Sequence, residues 1–586
     1  KMIWSGLHPI RSRFLLDICT ILSFSYCSFL VSSFCRHHLD DDETTTTTNT
    51  INNSNVSRIL SWLGVAFLGM TLSLKGQLTH RWPLTFPMMI VTLIRILHLG
   101  FFFVCDNSTK TWWWVSLGMN ITSGLFLFAS LLLIVAFPAV NISHPITTNG
   151  KEKYDVGVVD FFLPVQKEGS DEEECFVSAR LLYPTTKGRN KTTMIPHLNP
   201  SMSNILCDAT MKYTMKLPGW VLHTWCLAQL PLLRNAEPID LERDDDDDKN
   251  NNSDESKQQS LPLVIYSHGL FGNYVTYTYQ PLCLAAAGYV VLMLDHGDGS
   301  APVVQKRDGS FLFHDEHCAK LSRDGKHLEH IRARRSQTKQ RISELLSATQ
   351  SLLNLNETNI PQLQSLGVSF VNKLDVENGV TFMGHSFGGA TALSAAAQRP
   401  DLVRAVVAHE PACDWMTDDG RKALFPDKKF VDSEISYSGG TGGYEEDDTK
   451  SDDDDAEEKK EQYERRMSSS SSLLNRFKLH DVDMLFLYSD QWAAKGWGST
   501  KQIEDLHKRG ELGPKEEGVS ASDYGVIADA THIEFSDCSM LTPTWIGRAS
   551  GNCGKRSPHD TAQEIASRTI LFLENVKEVQ GKRKQE

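Results

Sequence analysis

Gly384-His385-Ser386-Phe387-Gly388 sets a serine between glycines two residues before and two after it. The apolar run Gly379–Met383 precedes it and the alanine-rich stretch Ala390–Gln398 follows. A serine on so sharp a strand-to-helix turn takes strained backbone angles and stands its Oγ over the positive end of the helix. The chemistry that suits is nucleophilic attack on an acyl carbon. A hydroxyl at its ordinary pKa is a weak nucleophile, so Ser386 needs a base within hydrogen-bond reach and a third group to orient that base. His532 is the best-placed base, because it follows an expected strand, Tyr524–Asp529, through a short Ala-Thr turn. Of its competitors, His480 and His507 follow no strand and His559 opens a helix, which leaves His409. For the acid, Glu410 stands at the carboxyl end of the expected strand Leu402–His409, and Asp414, four residues on, is the alternative. A tetrahedral intermediate needs donors aimed at its oxyanion. The Phe387 N–H is one; the Leu270 N–H, in His268-Gly269-Leu270-Phe271-Gly272, is the other.

These residues need a scaffold that brings distant segments to one edge. From about residue 154 the sequence alternates strands and helices. Leu261–Ser267, Tyr289–Asp295, Gly379–Met383, Leu402–His409, Asp483–Tyr488 and Tyr524–Asp529 read as strands. Thr278–Ala287, part of Ser322–Leu355, the stretch after the elbow and Asp560–Lys577 read as helices. Continuous apolar strands separated by helices mark a mainly parallel sheet covered on both faces, and sites in such sheets lie at the carboxyl ends of strands. The order serine, acid, histidine is that of an α/β-hydrolase fold.

The chain of 586 residues carries a formal net charge of −14, much of it in acidic runs. Those runs, at about 242–259 and 436–472, self-repel and cannot bury apolar surface, so they read as disordered insertions in a catalytic domain spanning 151–580. There is no basic stripe to suggest nucleic acid. The twelve cysteines form no C-x-x-C pair and no zinc-spaced cluster, so no structural metal is expected.

Residues 1–150 differ in composition. Phe14–Cys35, Ile59–Leu74, Pro83–Cys105 and Trp112–Val140 are apolar, and read as three or four transmembrane helices, the first of them a signal-like segment or a span. Arg11, Arg13, Lys75 and Arg81 against the acidic run Asp40–Glu43 put the amino terminus in the cytosol. The expectation is thus a multi-pass integral membrane protein with a cytosolic catalytic domain. Met211–Leu233, with Trp220, Leu222, Trp225 and Leu230, reads equally as a membrane-touching lip or a core helix.

Several blocks, in order, resemble the platelet-activating factor acetylhydrolase family, the group VII phospholipases A2. Tyr266-Ser-His-Gly-Leu270 is similar to the family's F-S-H-G-L, and Asp295-His-Gly-Asp298-Gly-Ser300-Ala301 to its E-H-R-D-x-S-A. His330-Ile-Arg332 resembles its H-I-R, Gly384–Thr391 its elbow, Ala530-Thr-His532-Ile-Glu-Phe535 its S-V-H-Q-N-F, and Leu181-Leu-Tyr183-Pro184 its R-L-Y-Y-P. The resemblance spans about 154–577 without the insertions. It implies Ser386 as nucleophile, His532 as base and the Leu270 and Phe387 N–H groups as oxyanion donors. It further implies a serine esterase that needs no cofactor or calcium, cleaving short or oxidised sn-2 acyl chains from glycerophospholipids such as platelet-activating factor. The family's acid is an aspartate in L-D-A-W, whereas here the strand runs into His409-Glu410-Pro411-Ala412. A multi-span amino terminus also departs from the secreted members. A lipase or carboxylesterase acting on neutral lipid or a chlorophyllase-like ester, and a catalytically dead membrane scaffold, are the alternative functions.

Overall fold

The computed structural model describes residues 90, 91, 93, 94, 97, 110–136, 142, 154–165, 175–185, 194–198, 202–240, 260–426, 479–514 and 520–583. Both acidic insertions lie outside the described residues. The chain divides into two units, 1–142 with 196–229, and 143–195 with 230–586.

In the first unit, the stretches Phe14–Cys35 and Ile59–Leu74 and most of Pro83–Cys105 lie outside the described residues. The fourth apolar stretch forms helix α1, Lys110–Ala136. Among the described residues no helix is long and apolar enough to cross a membrane. That overturns the expected transmembrane region, and with it the multi-pass placement and the cytosolic orientation derived from it. The sequence of α1 gives the reason: Lys110, Thr111, Ser116, Asn120, Thr122 and Ser123 interrupt its first half, leaving Gly124–Ala136. At 1.5 Å per residue that remainder rises about 20 Å, against a hydrocarbon core of about 30 Å. The stretch Met211–Leu233 is not one helix either. Helix α2, Ser203–Thr214, stops before Pro218, and Gly219–Leu227 forms a 3₁₀ turn. Trp225 and Leu230 are buried, whereas Met215, Leu217 and Trp220 are exposed.

The second unit is built on a nine-stranded sheet. Its strands are β1 (Asp155–Val165), β2 (Cys175–Thr185), β3 (Leu233–Arg234), β4 (Leu263–Ser267), β5 (Val290–Asp295), β6 (Val380–His385), β7 (Val403–His409), β8 (Met484–Ser489) and β9 (Asp523–Ile527). Their order across the sheet is β9-β8-β7-β6-β4-β5-β2-β1-β3. Only β2 runs against the rest, pairing antiparallel with both β1 and β5. A parallel sheet with one antiparallel strand near its edge, and a serine elbow after the central strand β6, is the α/β-hydrolase fold. Strands β4 to β8 are buried almost throughout, as strands covered on both faces must be.

Three helices matter for the site: α3 (Tyr279–Ala287), α4 (His327–Asn354) and α5 (Phe387–Gln398). Gly288 ends α3 in the left-handed region at φ 111°. The buried face of α4 changes character along its length: Arg334, Gln337, Arg341 and Glu344 give way to Leu345, Ala348 and Leu352. Its polar half therefore lies beneath the elbow, and its apolar half enters the core.

The parallel register sets the site's frame. Ser267 of β4 is level with Gly384, His385 with His409, His409 with Leu487, and Ser489 with Ile527. The residues just beyond these ends, His268–Leu270, Ser386, Glu410 and the turn to His532, are thereby gathered along one edge.

Candidate active site

Ser386 is the last residue before α5 and sits at φ 56°, ψ −114°. Such a conformation costs a β-carbon-bearing residue about 1–3 kcal/mol and persists only where its surroundings enforce it. Here the Ser386 N–H donates to the His409 carbonyl at 2.8 Å, and its carbonyl accepts from the Ala412 N–H at 3.0 Å. The two motif glycines are steric requirements. A Cβ on Gly384 would lie 2.3 Å from the Gly388 carbonyl oxygen, and one on Gly388 would lie 1.9 Å from that of Ser267. Replacing Gly388 with alanine is therefore expected to cost about 3 kcal/mol or more, read as a lowered unfolding midpoint.

Glu410 lies one residue beyond β7, wholly buried, at φ 44°. Its N–H donates to the Leu487 carbonyl at 2.9 Å, and the chain then turns at Pro411. The carboxylate is saturated with donors. Oε1 accepts from the Ser489 N–H at 2.7 Å and from the Ser489 hydroxyl. Oε2 bonds His532 Nδ1 and, at 3.4 Å, His385 Nε2. Burial opposes its ionisation, but His532 and His385 together hold its pKa down to about 2.

His532 opens a 3₁₀ turn, His532–Phe535, after β9. Its N–H donates to the Gln491 side-chain oxygen at 3.1 Å, and its ring stacks on Trp492 at 4.2 Å. The side chain is 23% exposed, whereas that of Glu410 is wholly buried. His385, the residue before Ser386, has its ring centroid 4.5 Å from that of His532.

Asp414 is elsewhere. It is half-buried in a short turn, Cys413–Trp415, where its carbonyl accepts from Arg335 Nε at 3.2 Å and its charge acts on Arg421. Among the described residues nothing joins it to His532. His409 is fully buried and bonds Thr569.

The Leu270 and Phe387 N–H groups make no hydrogen bond among the described residues. The Leu270 loop is braced from below by Arg341, which donates to the His268 carbonyl at 2.7 Å and to Asp298 at 2.7 Å. The same guanidinium bonds Ser300 and lies 4.1 Å over the Phe387 ring. One buried arginine thus touches both segments that present these N–H groups. Asp298, though buried, is held well below the usual carboxylate range by Arg341 and His296.

Beside it, Glu344 bonds His296 Nδ1 at 2.7 Å and accepts from the Gly297 N–H at 3.1 Å. Burial, then Asp298, pushes the Glu344 pKa up to about 8 from 4.5. The folded state therefore holds a proton that the unfolded chain releases. That contribution to stability is whole below about pH 4.5 and falls away as pH rises toward 8. Glu344→Gln, which keeps a donor toward His296, is expected to flatten the decline in unfolding free energy between pH 5 and 8.

Sequence reasoning overlooked His385, Ser489, Trp492 and Arg341. His385 was in view as the variable residue of the elbow, Ser489 directly follows the strand expected at Asp483–Tyr488, and Trp492 lies four residues beyond it. Arg341 gave no signal, because a basic helix ordinarily exposes its arginines.

Residues 244–418 match the family model described as platelet-activating factor acetylhydrolase, isoform II, and residues 371–473 that of the prolyl oligopeptidase family. The platelet-activating factor acetylhydrolase of Canis lupus familiaris is 28% identical over 149 residues, which are 23% of this chain and 32% of that protein. That of Bos taurus is 26% identical over 147 residues, again 23% and 32%. The matched stretch spans about a third of the length of these relatives. Among solved structures, a ferulic acid esterase from Streptomyces cinnamoneus aligns with 74% of this chain and 92% of its own at 14% identity, with a TM-score of 0.42. A dienelactone hydrolase from Anabaena variabilis aligns with 68% and 96% at 13% identity, with a TM-score of 0.26. At those scores the likenesses carry no argument; the strand order and register carry the fold.

Proposed function

From the match of residues 244–418 to the platelet-activating factor acetylhydrolase family, we propose that this chain is a calcium-independent serine esterase that hydrolyses short or oxidised sn-2 acyl chains of glycerophospholipids. The catalytic unit lies within 151–580. The observation that carries the reading is the hydrogen bond from the buried Glu410 carboxylate to His532 Nδ1, beside the strained elbow of Ser386. With Nδ1 engaged, His532 has Nε2 left to take the Ser386 proton once the two side chains close on each other, for among the described residues the Ser386 hydroxyl makes no hydrogen bond. Ser386 Oγ attacks the sn-2 carbonyl carbon, and the oxyanion is received by the Leu270 and Phe387 N–H groups. The imidazolium gives its proton to the departing lysophospholipid oxygen as the acyl-enzyme forms. Water, deprotonated by His532, then attacks the acyl carbon and frees Ser386. Backbone donors stabilise the charge, so no step requires a metal.

The test compares release from sn-2 acetyl and sn-2 palmitoyl phosphatidylcholine, each with and without EDTA. Acetyl release at least tenfold faster and untouched by EDTA is expected. Faster palmitate release moves the assignment to a lipase of the same fold; hydrolysis only of non-phospholipid esters moves it to a carboxylesterase. No turnover of any ester, with Ser386 unlabelled by a fluorophosphonate, leaves a catalytically dead scaffold.

A further inference from the structure

The elbow's variable residue reaches the acid as well as the core. His385 is 2% exposed and stacks on Phe535 at 5.4 Å with the rings 4° from parallel. Its two nitrogens face different partners: Tyr277 OH lies 2.9 Å from Nδ1, and Glu410 Oε2 lies 3.4 Å from Nε2. The neighbouring carboxylate selects the tautomer. A phenol can donate its proton to Nδ1, so the pair Tyr277–His385 accommodates a hydrogen on Nε2. Nδ1 then accepts, and Nε2 carries the hydrogen toward the carboxylate. The opposite tautomer would set a lone pair against a buried anion. Burial and the neighbouring His532 push the His385 pKa down to about 4, so the ring is a neutral donor and does not compete with His532 for the charge of Glu410.

We propose that His385 is a positioning residue: with Tyr277 behind it, its Nε2–H fixes the Glu410 carboxylate for His532. This rests on the hydrolytic reading of Ser386, His532 and Glu410. A glutamate has one more free torsion than an aspartate, so its carboxylate has further to wander. The Ser489 donors pin one oxygen; His385 supplies the second donor that the other oxygen needs. Gly269 packs against the Tyr277 hydroxyl, where a Cβ would lie 2.5 Å from it, so the chain Tyr277, His385, Glu410, His532 also ties the loop that presents Leu270 to the acid.

The groups facing this chain are His409 and Tyr488 around Glu410, and Arg341, Asp537 and Cys538 around Tyr277. Burial, then His385, pushes His409 down to about 3, and burial pushes Asp537 up to about 7. All five remain in every variant below, so their effects cancel in a comparison.

The experiment measures kcat, KM and the pH profile of kcat/KM for the full chain carrying His385→Phe, His385→Gln or Tyr277→Phe. Without the His385 donor, more of the carboxylate's charge acts on His532. His385→Phe is expected to lower kcat about 30-fold, with KM within about twofold. The pH of half-maximal activity on the acid side should rise by roughly 0.5 unit. Glutamine, whose amide can still donate to Glu410, should recover kcat to within about fivefold of wild type. Tyr277→Phe, which frees the tautomer, should move the acid limb in the same direction. An acid limb unmoved in both His385→Phe and Tyr277→Phe overturns the proposal, as does a loss carried by KM. Should His385→Phe not fold, Tyr277→Phe alone decides by the same criterion. Ser386→Ala, run alongside, separates the two levels: activity or labelling that survives it removes the hydrolytic reading itself.

Discussion

Ser386→Ala is expected to lower ester hydrolysis on the order of 10⁴-fold or more and to abolish labelling by a fluorophosphonate. The fold should be left as it was. The Ser386 hydroxyl makes no capping bond to α5, and among the described residues it makes no hydrogen bond at all. Its removal therefore leaves no buried partner unsatisfied, and the unfolding midpoint should stay within about 0.5 kcal/mol of wild type. This pairing of a large kinetic loss with a small thermodynamic one distinguishes a nucleophile from a capping serine, whose loss would show chiefly in stability, by about 1 kcal/mol. Equal labelling of the variant would remove Ser386 from the mechanism.

The second large effect separates the two candidate acids. Glu410→Gln is expected to lower kcat about 10³- to 10⁴-fold, because an amide cannot accept on both ends. With its oxygen toward His532, its NH₂ meets the Ser489 N–H; turned round, it meets the His532 Nδ1–H and forces the wrong tautomer. The variant should also be less stable by about 1–3 kcal/mol, since a buried donor is left unpaired. Asp414→Asn should leave kcat within about threefold, because the contacts of that residue run to Arg335 and Arg421. A larger loss from Asp414→Asn would reverse the assignment. The pH dependence has a definite sign. Glu410 falls to about 2 in the folded protein from 4.5, so its contribution to stability is present above about pH 4.5 and is lost as pH drops toward 2. Glu410→Gln should lack that acid slope, as read from unfolding midpoints between pH 2 and 6.

What could be read in advance follows from which constraints are local. The elbow is a local object: two glycines, a strand before and a helix after suffice to place Ser386, and the steric reason for both glycines sits within the turn and the adjacent strand. Strands β4 to β8 were legible as largely apolar runs, because burial on both faces removes polar residues from a sequence stretch. A preceding strand and a short turn favoured His532 over His480, His507 and His559 without coordinates, with His409 left open, and the structure sets His532 against Glu410. The same local reading misled at the amino terminus, where apolar composition was taken for length. In α1 the polar residues of the first half break the run before it reaches membrane thickness.

The tertiary structure decided everything that depends on which strands are neighbours. Glu410 and Asp414 are four residues apart and equally acidic in sequence. The strand-tip position favoured Glu410 in sequence, and the adjacency of β7 and β8, which brings Ser489 onto Glu410, together with the turn after β9, which brings His532, sets their surroundings apart. Arg341 reads as one more charge on a basic helix until the packing of α4 beneath the elbow buries it between His268 and Phe387. His385 likewise has no role until β6 stands beside β7 and Tyr277 closes over its other nitrogen. The physical reason is common to all three. A side chain's type limits the bonds it can make, and that is written in the sequence. Which bonds it does make is fixed by partners scores of residues away, delivered by sheet register and helix packing.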